Sequence, residues 1–510
     1  MKDGYVQRDF SGGQCNNVNP SLLPSNTVDL ALNVDLDEEI GSAVSRLGRA
    51  TVGSQIVDGS AILGLHQHID SSNTSNNRLF AYLNDISGTT ASLRNVATGL
   101  ATGTNDTGLT SGIKMRFLTF LGSTLALNGR NFPRSYHPST GWVTSGSGPF
   151  DLSNFPSDTI TIDTTTYRVN LCIAYLDRVY TAGATANNTR LYYSGVSNGT
   201  SISWTVGNGY IDIENNNNSG GITALAKVPG YLLVFKERSL HRFNGSSAFP
   251  ESLVQLGTPS QEAVVMGAGL CAFYSHSNEN AKGFYITDGG RPVPISHDNA
   301  RPIKKWIDAI GTTNEANMAG WATERHFCWS VGDLTVDGET YSNVVLRYNR
   351  LLNQWTVRTY PSDFRCFASY LASGVNTIVG GDDDGTVYQI DKPGTYTDAV
   401  TSSTQFIPWK IRQQHMTFGT NVLKQLSDKV VVLGKNIDSI ILSAIVDENL
   451  DDRIPIGSRS FFRRLLSLFG LGAVIKGTTL SVEVSGQSTG ARSYIREIEM
   501  PVIAADKTYV

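Results

Sequence analysis

Three groups of residues have the types and spacing for chemistry. His66 and His68 form a His-x-His pair within AILGLHQHI (61–69). That stretch reads as a strand, and alternate strand residues share a face, so both imidazoles point one way, as a metal ion would need. No third ligand follows nearby, which favours two strand-face histidines over a metal centre. The run GGDDDG (380–385) clusters carboxylates but lacks the alternating acidic spacing and distal glutamate of an EF-hand loop. It reads better as a hairpin turn in which Asp384-Gly385 supplies left-handed dihedrals before Val387, Tyr388 and Ile390. Serine, histidine and aspartate are common, yet no Gly-x-Ser-x-Gly elbow and no phosphate-cradling Gly-rich loop with a following Lys-Ser/Thr occurs. SNGTSISW (197–204) is a single degenerate echo of the Asp boxes that recur in sialidase blades. No catalytic, cofactor-binding or metal-ligating residue is assigned, and the chain reads as a non-enzyme without a cofactor.

The most unusual local feature is SRSFFRRLLSLFGLGAVIKG (458–477). Its first half reads as a short amphipathic helix, with Phe461, Phe462, Leu465, Leu466 and Phe469 crowding the surface and Arg459, Arg463 and Arg464 unopposed by any acid. Exposed apolar surface of this kind must be covered. The candidates are the protein's own sandwich, another subunit or channel lumen, or a lipid interface. Stable membrane insertion is not expected, because the uncharged run 465–475 is shorter than the ~20 residues a spanning helix needs.

The elements that must position these residues are strands. Charged residues are 17% of the chain and glycines number 50 of 510, which favours many turns between short strands over long solvated helices. The balance of 41 basic to 45 acidic residues gives −4, so bulk charge does not hold nucleic acid. The five cysteines are dispersed without a CxxC, which reads as free thiols of a reducing compartment. MKDGYVQRDFSGG has no apolar signal core, so Sec export is not expected.

Short β-branched and aromatic runs recur from about residue 55, in units beginning near 61, 114, 171, 222, 263, 316 and 364. Four-stranded blades have this rhythm, so 55–395 reads as an irregular six- or seven-bladed β-propeller. Trp142, Trp204 and Trp355 each follow a small polar turn and are expected to plug gaps between blades. One helix is predicted in DNARPIKKWIDAI, capped by Asp298 or Asn299, with Ile303, Trp306, Ile307 and Ile310 on one stripe. Residues 1–54, rich in Pro and Gly, read as an extended arm with one helical turn at 28–33. Longer alternating strands after 395 predict a separate antiparallel β-sandwich, 396–510, carrying the 458–477 insertion.

The arm carries the most specific motif: Phe10, Gly12 and Gly13, a loop bounded by Pro24, then Ala31, Asn33 and Val34, an acidic patch, and Arg46 with Gly48. Together with ITALAKVPGYLLVFKERSLHRFNG (222–245) and DGGRPVPIS (288–296), it resembles the tail nozzle or tail hub (stabilisation-protein-like) family of tailed bacteriophages. The resemblance implies a structural virion protein, assembled in the host cytoplasm as a homo-oligomer, most often six copies in a ring at the distal part of a short phage tail. Such a ring bounds the genome-ejection channel, docks on an adaptor on the portal side, and carries fibres or a needle-like plug. Phe10, Gly12, Gly13, Pro24, Asn33 and Arg46 are then candidates for a docking arm. A slightly negative wall suits passing DNA, which cationic side chains would retard. The alternative is a glycan-binding or glycan-cleaving propeller used in receptor recognition, which would need an aromatic-lined pocket or paired carboxylates.

Overall fold

A computed structural model describes residues 3–16, 24–56, 59–70, 72–99, 106–146, 148–183, 185–214, 219–245, 250–276, 281–296, 303–372, 374–401, 403–416, 424–426, 430–437, 439–450, 453–460, 467–469, 476–477, 479–488 and 490–504. The chain is all-β in plan. Seven four-stranded blades follow one another, and their innermost strands are Gly59–His68, Arg116–Phe120, Leu171–Tyr175, Ile222–Val228, Val264–Gly267, Ala319–Ala322 and Cys366–Ala372. Each touches the next, and the last returns to the first, so the blades close a ring. Every blade start lies within a few residues of the repeat boundaries read from the sequence.

The ring is held by apolar clusters between blades. Phe80 and Leu93 of blade one pack on Tyr136 and Trp142 of blade two. Trp204 lies at the boundary of blades two and three and donates its indole N–H to the Phe150 carbonyl at 3.0 Å. Trp355 of blade six is fully buried against Phe284 of blade five, and its indole N–H reaches the Ile295 carbonyl at 2.8 Å. The tryptophans thus sit between blades, and the indole N–H groups of Trp204 and Trp355 meet backbone carbonyls.

Blade seven has three strands of its own: Cys366–Ala372, Val375–Gly381 and Val387–Gln389. Its fourth is Ala50–Thr51, from before blade one, paired antiparallel as Tyr388 to Thr51 and Gln389 to Ala50. The ring is therefore latched by the two ends of the propeller segment.

The rest of the arm is a second finding. Of residues 28–33, expected as a helical turn, 28–32 belong to the strand Thr27–Leu32 and Asn33 follows it with φ 54°. That strand lies between Gln354–Thr359 of blade six, to which it is parallel, and Ser403–Gln413, to which it is antiparallel. Val28, Leu30, Leu32 and Val34 alternate with period two, and flanking strands on both sides override the weak local helix preference. Blade six consequently runs into Leu480–Ser488, Ser439–Val446 and Ile454–Ser460 as one eleven-stranded sheet.

A second sheet is built on Tyr494–Ala504, with Asp3–Gln7, Ala43–Ser45, Lys424–Leu426 and Val430–Lys435 as partners. The two sheets enclose Phe10, Val28, Trp409, Ile440, Val482 and Ile498. The predicted C-terminal sandwich is present, but the first 54 residues supply part of both its sheets and its core.

The predicted helix is Lys304–Asp308, with Ile303, Trp306, Ile307 and Ile310 buried on blade six. The expected caps Asp298 and Asn299 lie outside the described residues. A further short helix, Thr312–Asn317, follows it. Among the described residues, no helix is long and apolar enough to cross a membrane.

Candidate functional site

Two places concentrate polar side chains: the cavity on the propeller axis and the joint between propeller and sandwich. The axial cavity has a volume of about 810 Å³ and is lined from all seven inner strands. Lys114, Arg116 and Glu262 lie where those strands begin, and Lys227 lies near the end of Ile222–Val228. Arg116 donates from Nε and Nη2 to both oxygens of Glu262, at 2.8 and 3.1 Å. Lys114 donates from Nζ to the carbonyls of Met318, at 2.8 Å, and Asn317, at 3.5 Å. Burial pulls the Lys114 ammonium below its ordinary pKa, partly offset by Glu262. Burial pushes Glu262 up, but Arg116 and Lys114 outweigh it and hold the carboxyl at about 2. Further along the strands Leu65, Phe117, Ile173, Leu225 and Phe367 give the wall apolar surface, beside Gln67, Lys227 and Asn376.

His66 and His68 stand beside this wall and do not converge on a metal. His66 Nε2 meets Thr119 Oγ1 at 2.6 Å, Thr119 meets Thr124 at 2.9 Å, and Thr124 Oγ1 meets His68 Nδ1 at 3.0 Å. Two hydroxyls thus bridge the imidazoles. His66 also stacks on Phe117, with ring centroids 5.3 Å apart. Burial, reinforced by His68, pulls the His66 pKa down to about 4. The GGDDDG run is a turn, with Asp382 Oδ1 accepting the N–H groups of Asp384 and Thr386. Burial, then Asp384, pushes the Asp382 carboxyl up to about 7. Among the described residues, no group of three or more His, Cys, Asp or Glu is placed to hold a metal ion. The five cysteines are free thiols, four of them buried.

The joint holds the arm residues singled out by sequence. Arg46 is fully buried and uses all its N–H groups: Nε to Asn33 Oδ1 at 3.0 Å, Nη1 to the Leu47 carbonyl and Asp398 Oδ1 at 2.9 Å each, and Nη2 to the Thr359 carbonyl at 2.8 Å and Asp398 Oδ2 at 2.5 Å. Its guanidinium lies 4.2 Å over the Tyr360 ring. Asn33, at φ 54°, ends its strand, and its amide bridges Thr359 Oγ1 and the Pro408 carbonyl at 2.8 and 2.7 Å.

Next to it Asp35 receives Arg347, Arg358 and Arg492 at 3.0, 2.5 and 2.6 Å. Burial pushes Asp35 up, and these guanidiniums, Arg358 first, overcome it and hold the carboxyl near 2. Arg358 also pairs with Asp391 at 2.6 Å, and Arg347 with Asp37 at 3.4 Å. Arm, blade six, the segment after blade seven, and sandwich all contribute to this one network.

The other arm residues serve the same joint. Phe10 is buried in the sandwich core. The Gly12 N–H binds the Asn26 carbonyl at 2.9 Å, and an added Cβ would lie 2.5 Å from that oxygen. Gly13 has φ 75° against Gln354 and Trp355. The Pro24 carbonyl accepts the Thr27 N–H at 3.1 Å. Phe10 and Gly13 contact the sandwich core and blade six, while Gly12 and Pro24 shape the arm's own loop.

Of the 458–477 candidates, Arg459 lies in Ile454–Ser460 opposite Ile440, and Phe469 in Ser467–Phe469 opposite Val430. That second pairing is a strand where a helix was expected, because the edge of Val430–Lys435 supplies backbone partners. Phe461, Phe462, Arg463, Arg464, Leu465 and Leu466 lie outside the described residues.

Sequence reasoning missed the axial charges Lys114, Arg116, Glu262 and Arg365. The available signal was their position, each at or just before an inner strand in the repeat. It also missed Asp35 with Arg347, Arg358 and Arg492, for which local sequence offers no signal. No protein-family model matches the chain, and no curated protein matches it. Among solved structures it is similar to the crystal structure of BamB from Moraxella catarrhalis, with a TM-score of 0.37 and 11% identity, covering 69% of this chain and 98% of that one.

Proposed function

We propose that this chain is a structural subunit of a ring, a nozzle or hub, at the distal part of a short phage tail. In this reading copies of the chain surround the path of the ejected genome, and the assembly docks on an adaptor and carries fibres or a plug. The supporting observation is where the motif residues lie. Of the residues that carry the likeness to that family, Gly13, Asn33 and Arg46 stand where propeller and sandwich are fastened together, and Phe10 lies in the sandwich core. The motif thus corresponds to a requirement for a stiff two-part body, which suits a part transmitting force between neighbours.

The axial cavity, at about 810 Å³, has the size of a small-molecule pocket and is too small for duplex DNA. The DNA path in this proposal therefore runs between subunits. Mass photometry and electron microscopy of the purified chain, with and without its virion neighbours, test the reading. Open-centred rings, six-membered in the commonest form, are expected. A chain that stays monomeric or trimeric with neighbours added overturns it and returns weight to a glycan-directed propeller.

A further inference from the structure

The axial cavity is two-natured. At one end Lys114, Arg116 and Arg365 come from the starts of blades two and seven, and among the described residues Glu262 pairs with Arg116 and Asp363 with Arg365. The end holds three cations against two carboxylates, and the second carboxylate is weakened. Asp363 is pushed up by burial and by Asp383, against the pull of Arg365. Unbalanced positive charge in a recess is costly unless an anion joins it. The Lys114 ammonium is held by two backbone carbonyls, which leaves its third N–H without a protein acceptor among the described residues. Ser260 Oγ, on the same recess, is buried without a hydrogen-bond partner. These donors surround a space of about 450 Å³ that shares Leu63, Lys114, Arg116 and Glu262 with the larger cavity, whose farther wall carries Leu65, Phe117, Ile173, Leu225 and Phe367 beside the polar Gln67, Lys227 and Asn376.

We infer that the propeller axis binds an organic anion with an apolar body, its acid group at Lys114, Arg116 and Arg365 and its hydrocarbon part against Leu65, Phe117 and Phe367. Each of the two spaces, about 810 and about 450 Å³, falls in the size range of ligand pockets, which are mostly apolar with a few polar groups that fix orientation. The site stands apart from ring assembly and from the arm joint, and its test does not depend on either.

Isothermal titration of the full chain with decanoate is the experiment, with acetate, inorganic phosphate and decylammonium as comparison probes. One decanoate per chain is expected, bound at least about tenfold more tightly than any comparison probe, about 1.4 kcal/mol. Arg365→Gln removes a guanidinium paired with Asp363 at 3.2 Å and is expected to weaken decanoate about tenfold, with a melting scan showing that the variant is folded. Ala368→Trp, which fills the apolar wall, is expected to abolish decanoate binding while leaving the charged end in place. Absence of decanoate binding overturns the inference. So does equal binding of decylammonium, equal binding of acetate or phosphate, or decanoate affinity unchanged in both variants.

Discussion

Replacing Arg46 by Met tests whether the arm joint holds the two halves of the chain together. Met fills much of the same space and removes every N–H. The change deletes five hydrogen bonds, to Asn33, Leu47, Thr359 and both oxygens of Asp398. Asp398, 2% exposed, would keep only the backbone N–H of Arg49 at 3.2 Å. Removing one partner of a buried ion pair costs about 3–5 kcal/mol, mostly through the charge left behind. At the 2–4 °C per kcal/mol typical of units of 150–250 residues, that is a fall of roughly 6–20 °C in Tm. Scanning fluorimetry reads it, and limited proteolysis shows whether the cut falls first near the arm. Adding Asp398→Leu removes the stranded charge and is expected to recover part of the loss, since the bonds from Arg46 to the Leu47 and Thr359 carbonyls and to Asn33 stay lost, although Asn33 Oδ1 keeps the Thr359 N–H at 2.8 Å. Arg46→Lys keeps the charge without the planar fork and is expected to melt between wild type and Met. A Met variant that melts within about 2 °C of wild type would refute the reasoning.

Three further outcomes follow from the same geometry. Gly48→Ala would set a Cβ 1.9 Å from the Thr397 carbonyl oxygen, a backbone atom that has to move, so a loss of about 1–3 kcal/mol is expected in urea unfolding. Asp35, held near 2 against an ordinary value of 3.8, contributes stability that is present above about pH 4 and lost as pH falls through 2, on the order of 2 kcal/mol. Asp35→Asn should therefore be less stable at neutral pH and lose less on acidification than wild type, read by melting from pH 7 to 2. His66 has its folded pKa lowered to about 4, so the unfolded chain binds the extra proton first and stability falls as pH drops from about 6.5 to 4. NMR titration of the imidazole should show the low midpoint, and His66→Gln should flatten that part of the stability profile.

The periodic parts of the fold were legible because each blade is local. Alternating runs such as YLLVFK announce a strand whose neighbours lie within a few tens of residues, as Tyr231–Lys236 does between Ile222–Val228 and Leu240–Phe243. The arm was not legible, because its meaning depends on distant partners. Asp35 is separated from Arg347, Arg358 and Arg492 by 312, 323 and 457 residues. A local reading sees acidic residues near a Pro-rich stretch and treats them as a solvated patch. The period of two from Val28 to Val34 was visible, but Ala31 and Leu32 beside a possible cap favoured a turn of helix when no partner strand was in view. The axial charges are an intermediate case. Superposing the inner strands brings Lys114 and Glu262 to the same position, two residues before the strand, with Arg365 one residue later, yet nothing in the composition marks them.

The placement of the arm also has a consequence for folding. Its strands must pair with Gln354–Thr359, Val387–Gln389, Ser403–Gln413 and Tyr494–Ala504, so the ring latch and the sandwich both wait for the end of the chain. Contacts of such sequence separation form slowly, since loop closure precedes any gain from burial. They are also costly to lose. Phe10, Val28, Leu30, Leu32, Val34 and Leu36 are all buried, and six such side chains at about 1.5–3 kcal/mol each amount to roughly 9–18 kcal/mol. That matches or exceeds the 5–15 kcal/mol, approximately, by which a domain is stable at all. A chain lacking residues 1–55 is therefore expected to be insoluble or to expose apolar surface by dye binding, with blade seven one strand short. Co-expressing residues 1–55 as a separate peptide should restore a soluble complex, because the lost contacts are intramolecular and need no other protein. A truncated chain that is soluble and melts like the whole protein would show that the arm is dispensable to the body, and would return it to the role of an external docking tail.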